Sequence, residues 1–502
     1  MGESQGVRPV IIGVGQCVHK PEDLGQVKQP LDLVEIAVKR AEEDSGVLGL
    51  TQKIDSLCLA NMLSGSYTDP CGELTQRLDA KPQSTAYTWV GATAPQWFVN
   101  RTAENIASGQ ARLVLICGGE AFYSKKLENK AKGGGSWDWS FPKKESWMVG
   151  DFRDPVNYLE QKYGLVLPLH LYPLMENALR FHEGLTLEEQ HRELGEFLSG
   201  CSAIAAQNPY SWFKTPKTAE EIMDATGPNR MVSFPYTKSM CSIMEVDQAA
   251  AVFMTDEQTA QELGVPKEKW VYLLGAGDAS DIWHVTERIN FHTSPSVKVA
   301  ADKALEQART ALSDIELLDF YSCFPCAPRI TRNMLEIPKN DPRPLTITGS
   351  MPYFGGPGNT YAMHAIARMV ELLRQDPAKT GMVQALSWFI SKHSVGVYSA
   401  TPGQSPYRPV PPKEYQAELD RLQGPALVEE ASGRAEVETF MLFHDREGRP
   451  VSGVIVGRLD DGARFLANPV KDPETLEAMT KEEVIGKQGR VRPGDGFNIF
   501  EL

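Results

Sequence analysis

Hydrophobic and polar positions along the chain repeat one arrangement twice. Residues 10–15 read VIIGVG and residues 271–277 read VYLLGAG, two Val/Ile/Leu runs of the kind a strand buried on both faces carries. Each run breaks on glycines, where the chain is expected to turn. An amphipathic helix follows each, with Leu33, Ile36, Ala37 and Ala41 on one stripe, and Ala301, Leu305, Ala308 and Leu312 on the other. Second apolar runs come next, IDSLCLAN at 54–61 and IELLDFYS at 315–322. Glycine-led helices are predicted at 91–109 and 355–374, and closing strands at 113–119 (LVLICGG) and 382–390 (MVQALSWFI). Strand, helix, strand, helix, strand, twice over, predicts an α/β fold of two similar halves meeting at a shared seam, where an active site is expected.

The remainder sorts by contrast with that repeat. A first half over 1–268 is interrupted at about 120–230 by an aromatic-rich insertion holding Gly133, Gly134, Gly135, Trp137, Trp139 and Trp147. It also holds a helical element within 165–182. Such an insertion at a strand's C-terminal end predicts a substrate-covering lid, with a structural subdomain as the plainer reading. The second half spans 269–400. Five prolines in TPGQSPYRPVPPKEY predict an irregular linker over 401–415. Strand-length apolar runs at 437–443 and 451–459, a turn at Asp460-Asp461-Gly462 and a closing strand at 491–502 predict a small β domain over 416–502. A barrel of the oligonucleotide-binding type fits it, as a structural or docking module.

Composition narrows the partners. At 502 residues the chain exceeds one ordinary core. A formal net charge of −14 argues against nucleic acid and anionic membranes, though local basic pockets for a phosphorylated ligand stay open. No apolar run approaches the roughly 20 residues that span a bilayer. MGESQGVRP lacks the apolar stretch of a signal peptide, and eight cysteines, some inside predicted buried strands, suit a reducing compartment; a cytoplasmic protein is expected.

The duplicated halves, the insertion after the third strand and the segment 230–254 resemble the thiolase superfamily, and more narrowly the acetyl-CoA acetyltransferase-like members with an extra C-terminal domain. The resemblance implies a five-layer αβαβα core, a CoA thioester as substrate with no permanently bound cofactor, a role in lipid metabolism, and a homodimer unless the extra domain covers that surface. It also implies where the chemistry sits. The family's nucleophilic cysteine, at a helix N-terminus that favours a thiolate, falls on Ala92 in GATAPQW, counting back from the turn at 107–109. Its second cysteine falls on Ile390 when aligned on Gly396, leaving His393, in the predicted loop SKHSVGVYSA (391–400), as the candidate general base with a pKa near neutrality. The asparagine of its asparagine–glutamate–alanine–phenylalanine motif is matched by Tyr321, in Tyr321-Ser322-Cys323-Phe324. Its glycine–histidine–proline turn resembles Gly355-Gly356-Pro357; aligned on the helix instead, Asn359 or Thr360 takes the histidine's place, with His364 one turn on.

These residues imply acyltransferase-like or C–C bond chemistry without a covalent cysteine, since an enolate beside a thioester carbonyl needs an oxyanion hole and a base. Tyr321, Asn359, His364 and His393 are the candidate catalytic residues. Alternatives are a retro-aldolase acting on a β-hydroxyacyl-CoA, a non-catalytic acyl-CoA-binding or scaffold protein, and a dithiol oxidoreductase built on Cys323 and Cys326, a Cys-x-x-Cys pair after a strand. As a zinc half-site that pair lacks a partner, and no metal is expected.

Overall fold

The computed structural model describes residues 6–134, 145 and 147–502. Gly135, Trp137 and Trp139 of the expected lid lie outside the described residues. The first half forms β1 (Pro9–Val18), α1 (Pro30–Ser45), β2 (Ser56–Leu59), β3 (Ser84–Tyr87), α2 (Ala94–Ala107) and β4 (Val114–Ala121). After an insertion carrying α3 (Pro168–His182) and α4 (Leu187–Gln207), β5 (Asp247–Asp256) completes it. The second half forms β6 (Val271–Ser280), α5 (Pro295–Ala308), β7 (Leu317–Phe320), α6 (Tyr361–Gln375), β8 (Thr380–Ser387) and β9 (Lys392–Ser399).

Strand pairing repeats with the sequence. The nine strands run in the order β3-β2-β4-β5-β1-β6-β9-β8-β7. The β1–β5 and β6–β9 pairs are antiparallel, as are β4–β5 and β8–β9, while β2–β4 and β7–β8 are parallel. The halves join where Val10 and Ile11 of β1 lie opposite Tyr272 and Val271 of β6. Between the two halves α2 and α6 share one core, Phe98, Val99 and Ile106 packing with Ile366, Met369 and Val370. Helix α1 covers the outer face of the first half and α5 that of the second, which gives the five layers.

The glycines in the two opening runs do not end their strands. A Cβ on Gly13 or Gly15 would meet the carbonyl oxygens of Ala41 and Ala37 at 2.3 and 2.0 Å. On Gly275 or Gly277 it would meet those of Ala304 and Ala300, both at 2.0 Å. Each glycine pair lets an alanine-faced helix rest on the strand backbone. In α5 the buried face is accordingly Val297, Ala300, Ala301 and Ala304, and Leu312 falls beyond the helix.

Three further expectations change. Residues 391–400 are not a loop: they form β9, and the true connection is a tight Trp388–Ser391 hairpin in which Trp388 and Ile390 take positive φ of 56° and 62°. Helix α3 is no lid, because Leu171 through Arg180 are all buried, on a helix wedged between the core and the C-terminal barrel. The linker ends in a helix, α7 (Lys413–Leu419), which two prolines can start because the first helical N–H groups lack partners anyway.

The C-terminal unit is a closed five-stranded barrel of β10 (Gly433–His444), β11 (Pro450–Leu459), β12 (Arg464–Pro469), β13 (Gln488–Pro493) and β14 (Asn498–Glu501). It closes as β10-β11-β12-β14-β13-β10, with only the β12–β14 pair parallel, the connectivity of the oligonucleotide-binding barrel. Buried Arg464 ties it to the second half, donating to Glu438 and to the carbonyls of Thr286 and Arg288.

Candidate active site

The turn Gly91–Thr93 enters α2 at the seam between the halves. Ala92 is partly buried and packs on an apolar cluster that also holds Tyr321, Phe324, Phe389 and Ile390. Tyr172 of α3 closes this cluster, stacked on Phe324 at 4.7 Å and donating to the Trp388 carbonyl at 3.0 Å. The position that the family resemblance matches to the nucleophile is thus backed by aromatic side chains.

The four candidate catalytic residues are all buried, and they fall into separate networks. Asn359 accepts from the Gly91 N–H at 2.9 Å and donates to the Asn61 carbonyl at 2.9 Å, so its amide holds the turn before α2. Tyr321 donates its N–H to the side chain of Gln384 at 3.1 Å, and its ring meets Tyr361 edge-on at 5.4 Å. His393, in β9, accepts at Nδ1 from the Gln384 amide at 2.8 Å and faces Ser294 at Nε2, 3.0 Å away. Ser294 in turn donates to Asp281. Burial, aided by Arg288, lowers the His393 pKa to about 3, below the near-neutral value expected from its residue type. His364 pairs with Gln16 at 2.9 Å, and burial lowers its pKa to about 3 as well. Gln384 links Tyr321 and His393; Asn359 and His364 stand apart from that pair. At Gly356 a side chain has no room, since a Cβ there would lie 2.3 Å from Ser242 Oγ.

A cavity of about 510 Å³ opens on the other side of the turn. Gly91, Thr93, Trp97 and Arg101 line it from the first half, Asp278, Lys392, His393 and Ser394 from the second. The insertion adds Asp151 and Arg153, and α7 adds Lys413 and Gln416. Helix α7 is held there by Gln416, which hydrogen-bonds both backbone groups of Ser280, and by the Tyr415 hydroxyl, which accepts from the Asp278 N–H. Burial raises the Asp278 pKa. Asp151 is held below its ordinary range, against its own burial, by hydrogen bonds from Arg153. Burial lowers Lys392 to about 8, with Asp151 opposing that shift.

A second cavity, of about 640 Å³, is lined by Lys20, Lys214, Lys217 and Lys238, with Trp212, Phe213 and Tyr353 beside them and Glu221 as its one acidic group. The segment 352–359 touches both cavities: Pro352 and Tyr353 line the second, and Asn359 anchors Gly91 in the wall of the first.

With the geometry in place, the whole chain can be compared with known proteins. Its structure is similar over 99% of its length to 99% of a monomeric SCP2-thiolase like protein type 1 from Mycobacterium smegmatis, at 30% identity and a TM-score of 0.85. This chain belongs to the type 1 SCP2-thiolase-like proteins. The family model for the additional C-terminal domain of thiolase-like protein type 1 matches residues 414–496, a span that runs from the end of the linker through the first four strands of the barrel. Beyond this family, the Ltp2-ChsH2(DUF35) aldolase covers 79% of the chain and 98% of its own at 16% identity and a TM-score of 0.61. Acetyl-CoA acetyltransferase from Syntrophomonas wolfei covers 79% and 100% at 17% identity and a TM-score of 0.58. These two likenesses concern the fold.

In this type 1 thiolase-like chain all eight cysteines are free and buried. Burial raises every thiol, with Cys323 pushed up to about 12 and Cys326 well above the ordinary thiol value. A dithiol centre needs an accessible thiol of low pKa, so the oxidoreductase alternative has no support here. Lys392, Arg153 and the α7 residues are the cavity groups that sequence reasoning missed. The available signal for Lys392 was a lone cation at the head of an otherwise uncharged buried strand. The α7 residues gave none, because they belong to the linker.

Proposed function

We propose that this thiolase-like protein binds a CoA thioester and acts on the bond beside its carbonyl without an acyl-cysteine intermediate. The observation that carries the reading is the lysine-lined cavity. Four lysines converge there in a chain of net charge −14, next to Trp212 and Tyr353, a set suited to phosphates and a flat heterocycle. No cysteine lines the smaller cavity, so captured acyl groups have no thiol to occupy there. Retro-aldol cleavage of a β-hydroxyacyl-CoA is one form of this chemistry. A purely binding role is the second reading, favoured by the burial of Tyr321 and His393 around Gln384 and of Asn359 in a separate contact.

Calorimetric titration with CoA and acetyl-CoA tests the reading. Binding should weaken at least about tenfold in Lys214→Glu/Lys217→Glu and fall with added salt. Absence of binding by either ligand ends it. Intact-mass analysis after acetyl-CoA treatment should show no thioester adduct. We further propose that the chain acts as a monomer, because Val149 of the insertion hydrogen-bonds Tyr87 and Trp89 at the end of the edge strand β3, where a second copy would pair. Light scattering should give one mass near 55.5 kDa, and a stable dimer would contradict this.

A further inference from the structure

We propose that Lys392 is the reactive group of the smaller cavity, its ε-amine forming an imine with the carbonyl of a keto or aldehyde substrate. The amine sits where the turn into α2 leaves space for it. A Cβ built on Gly91 would lie 3.4 Å from Lys392 Nζ, 3.5 Å from Cε and 3.0 Å from Ser387 Oγ. Gly91 has no positive φ, and a single methyl group there would press only on Ser387 Oγ while touching Lys392 at ordinary contact distance, so a bulkier side chain is needed to fill the amine's space.

Lys392 has no hydrogen-bond or ion-pair partner among the described residues, although two carboxylates share its cavity. Both are engaged elsewhere. Asp151 accepts from the Arg153 guanidinium at 2.6–3.1 Å and from its N–H at 3.1 Å, and Asp278 accepts from Ser394 at 2.5 Å and Asn100 at 3.1 Å. The Trp283 ring centroid lies 5.9 Å from Nζ, and the Arg153 guanidinium lies closer to that ring, at 3.7 Å. Burial is the main influence that draws the amine toward its neutral form; Arg153 acts the same way, and Asp151 and Asp278 oppose them. A neutral amine is the nucleophile, and desolvation is how lysines are activated for carbonyl chemistry.

The step balances without any further reactant. The lone pair of Nζ attacks the carbonyl carbon, the carbonyl oxygen takes up a proton as the carbinolamine forms, and loss of one water leaves C=N. Ser387 Oγ, which accepts from the Thr93 N–H at 2.7 Å and lies 2.8 Å from Thr93 Oγ1, can relay that proton, giving its own to the oxygen and taking one back from the attacking Nζ. The imine then stands as an electron sink for breaking a neighbouring C–C bond. If the keto group belongs to a β-ketoacyl-CoA, this assignment deepens the reading above and rests on it; the amine itself does not require CoA.

The test is reductive trapping on the full chain, with acetoacetyl-CoA and, in parallel, acetoacetate, each with cyanoborohydride, followed by peptide mapping. The expected result is an adduct at Lys392, dependent on the reductant and formed on the order of a hundredfold faster at neutral pH than at exposed lysines. Gly91→Val, which keeps the lysine and fills its space, should remove the adduct, and Lys392→Arg should do the same while retaining the charge. Adducts on exposed lysines with Lys392 unmodified by both probes overturn the proposal. If acetoacetate labels Lys392 and acetoacetyl-CoA does not, the lysine assignment stands and the CoA reading fails. If CoA binds in the calorimeter while neither probe labels Lys392, the reverse holds.

Discussion

At the scale of single residues, environment decides chemistry more than residue type. His393 looks like a base in sequence and is held neutral by burial and Arg288. Lys392, one position earlier in the same strand, faces the cavity and titrates at about 8. This has a sign in stability. Between pH about 8 and 10.5 the folded chain has released a proton that the unfolded chain still holds, so this residue makes stability rise with pH across that window. Below pH 8 both states hold the proton and the contribution is constant. Lys392→Met should therefore flatten the rise, as denaturant melts of both proteins at pH 7.5 and 10 will show; an unchanged difference between the two pH values would count against a buried amine. Asn359 shows the same lesson in another form, since both ends of its amide are taken by backbone groups that fix the turn at Gly91.

At the scale of elements, the two halves are built by the same device. Paired glycines in β1 and β6 meet alanines in α1 and α5, so that helix and strand backbones touch. Gly277→Ala places a methyl group 2.0 Å from the Ala300 carbonyl oxygen and must push α5 off the sheet. The expected cost is about 3 kcal/mol, at the upper end for overpacking, because the obstacle is backbone and not a flexible side chain. Chemical denaturation reads it directly, with Gly264→Ala, whose Cβ would be clear of other groups but whose φ is +78°, as a milder comparison. The alternation of apolar runs made these strands and helices legible, including the match between the two copies. It could not show that the glycines serve close packing, because a glycine that ends a strand and one that admits a helix look alike in sequence. Nor could it show that 391–400 is a strand, where Lys392, His393 and Ser394 interrupt the apolar run.

At the scale of the whole molecule, the additional barrel is fastened and not tethered. Arg464 reaches from β12 into the second half with its guanidinium fully buried, shared between Glu438 and backbone carbonyls of residues 286–289. Removing it leaves the Thr286 and Arg288 carbonyls without their side-chain donor, and leaves Glu438 with Arg458 alone. Arg464→Ala should cost about 3–5 kcal/mol and make the barrel melt separately from the core, visible as a second calorimetric transition. A single transition at the wild-type temperature would show that the barrel is held by other contacts. The proline-rich linker joins in this fastening, with Tyr407 buried against the core and donating its N–H to the Val7 carbonyl.

The sequence by itself determined the duplicated halves, the barrel and the family, because apolar period and glycine placement are local and repeat along the chain. Only the tertiary structure decided the environment of each titratable group. Titration depends on what lies within a few ångströms in space: Arg288 and Gln384 around His393, Asp151 and Gly91 around Lys392. Those neighbours come from segments far apart in sequence, so no pattern along the chain carries them.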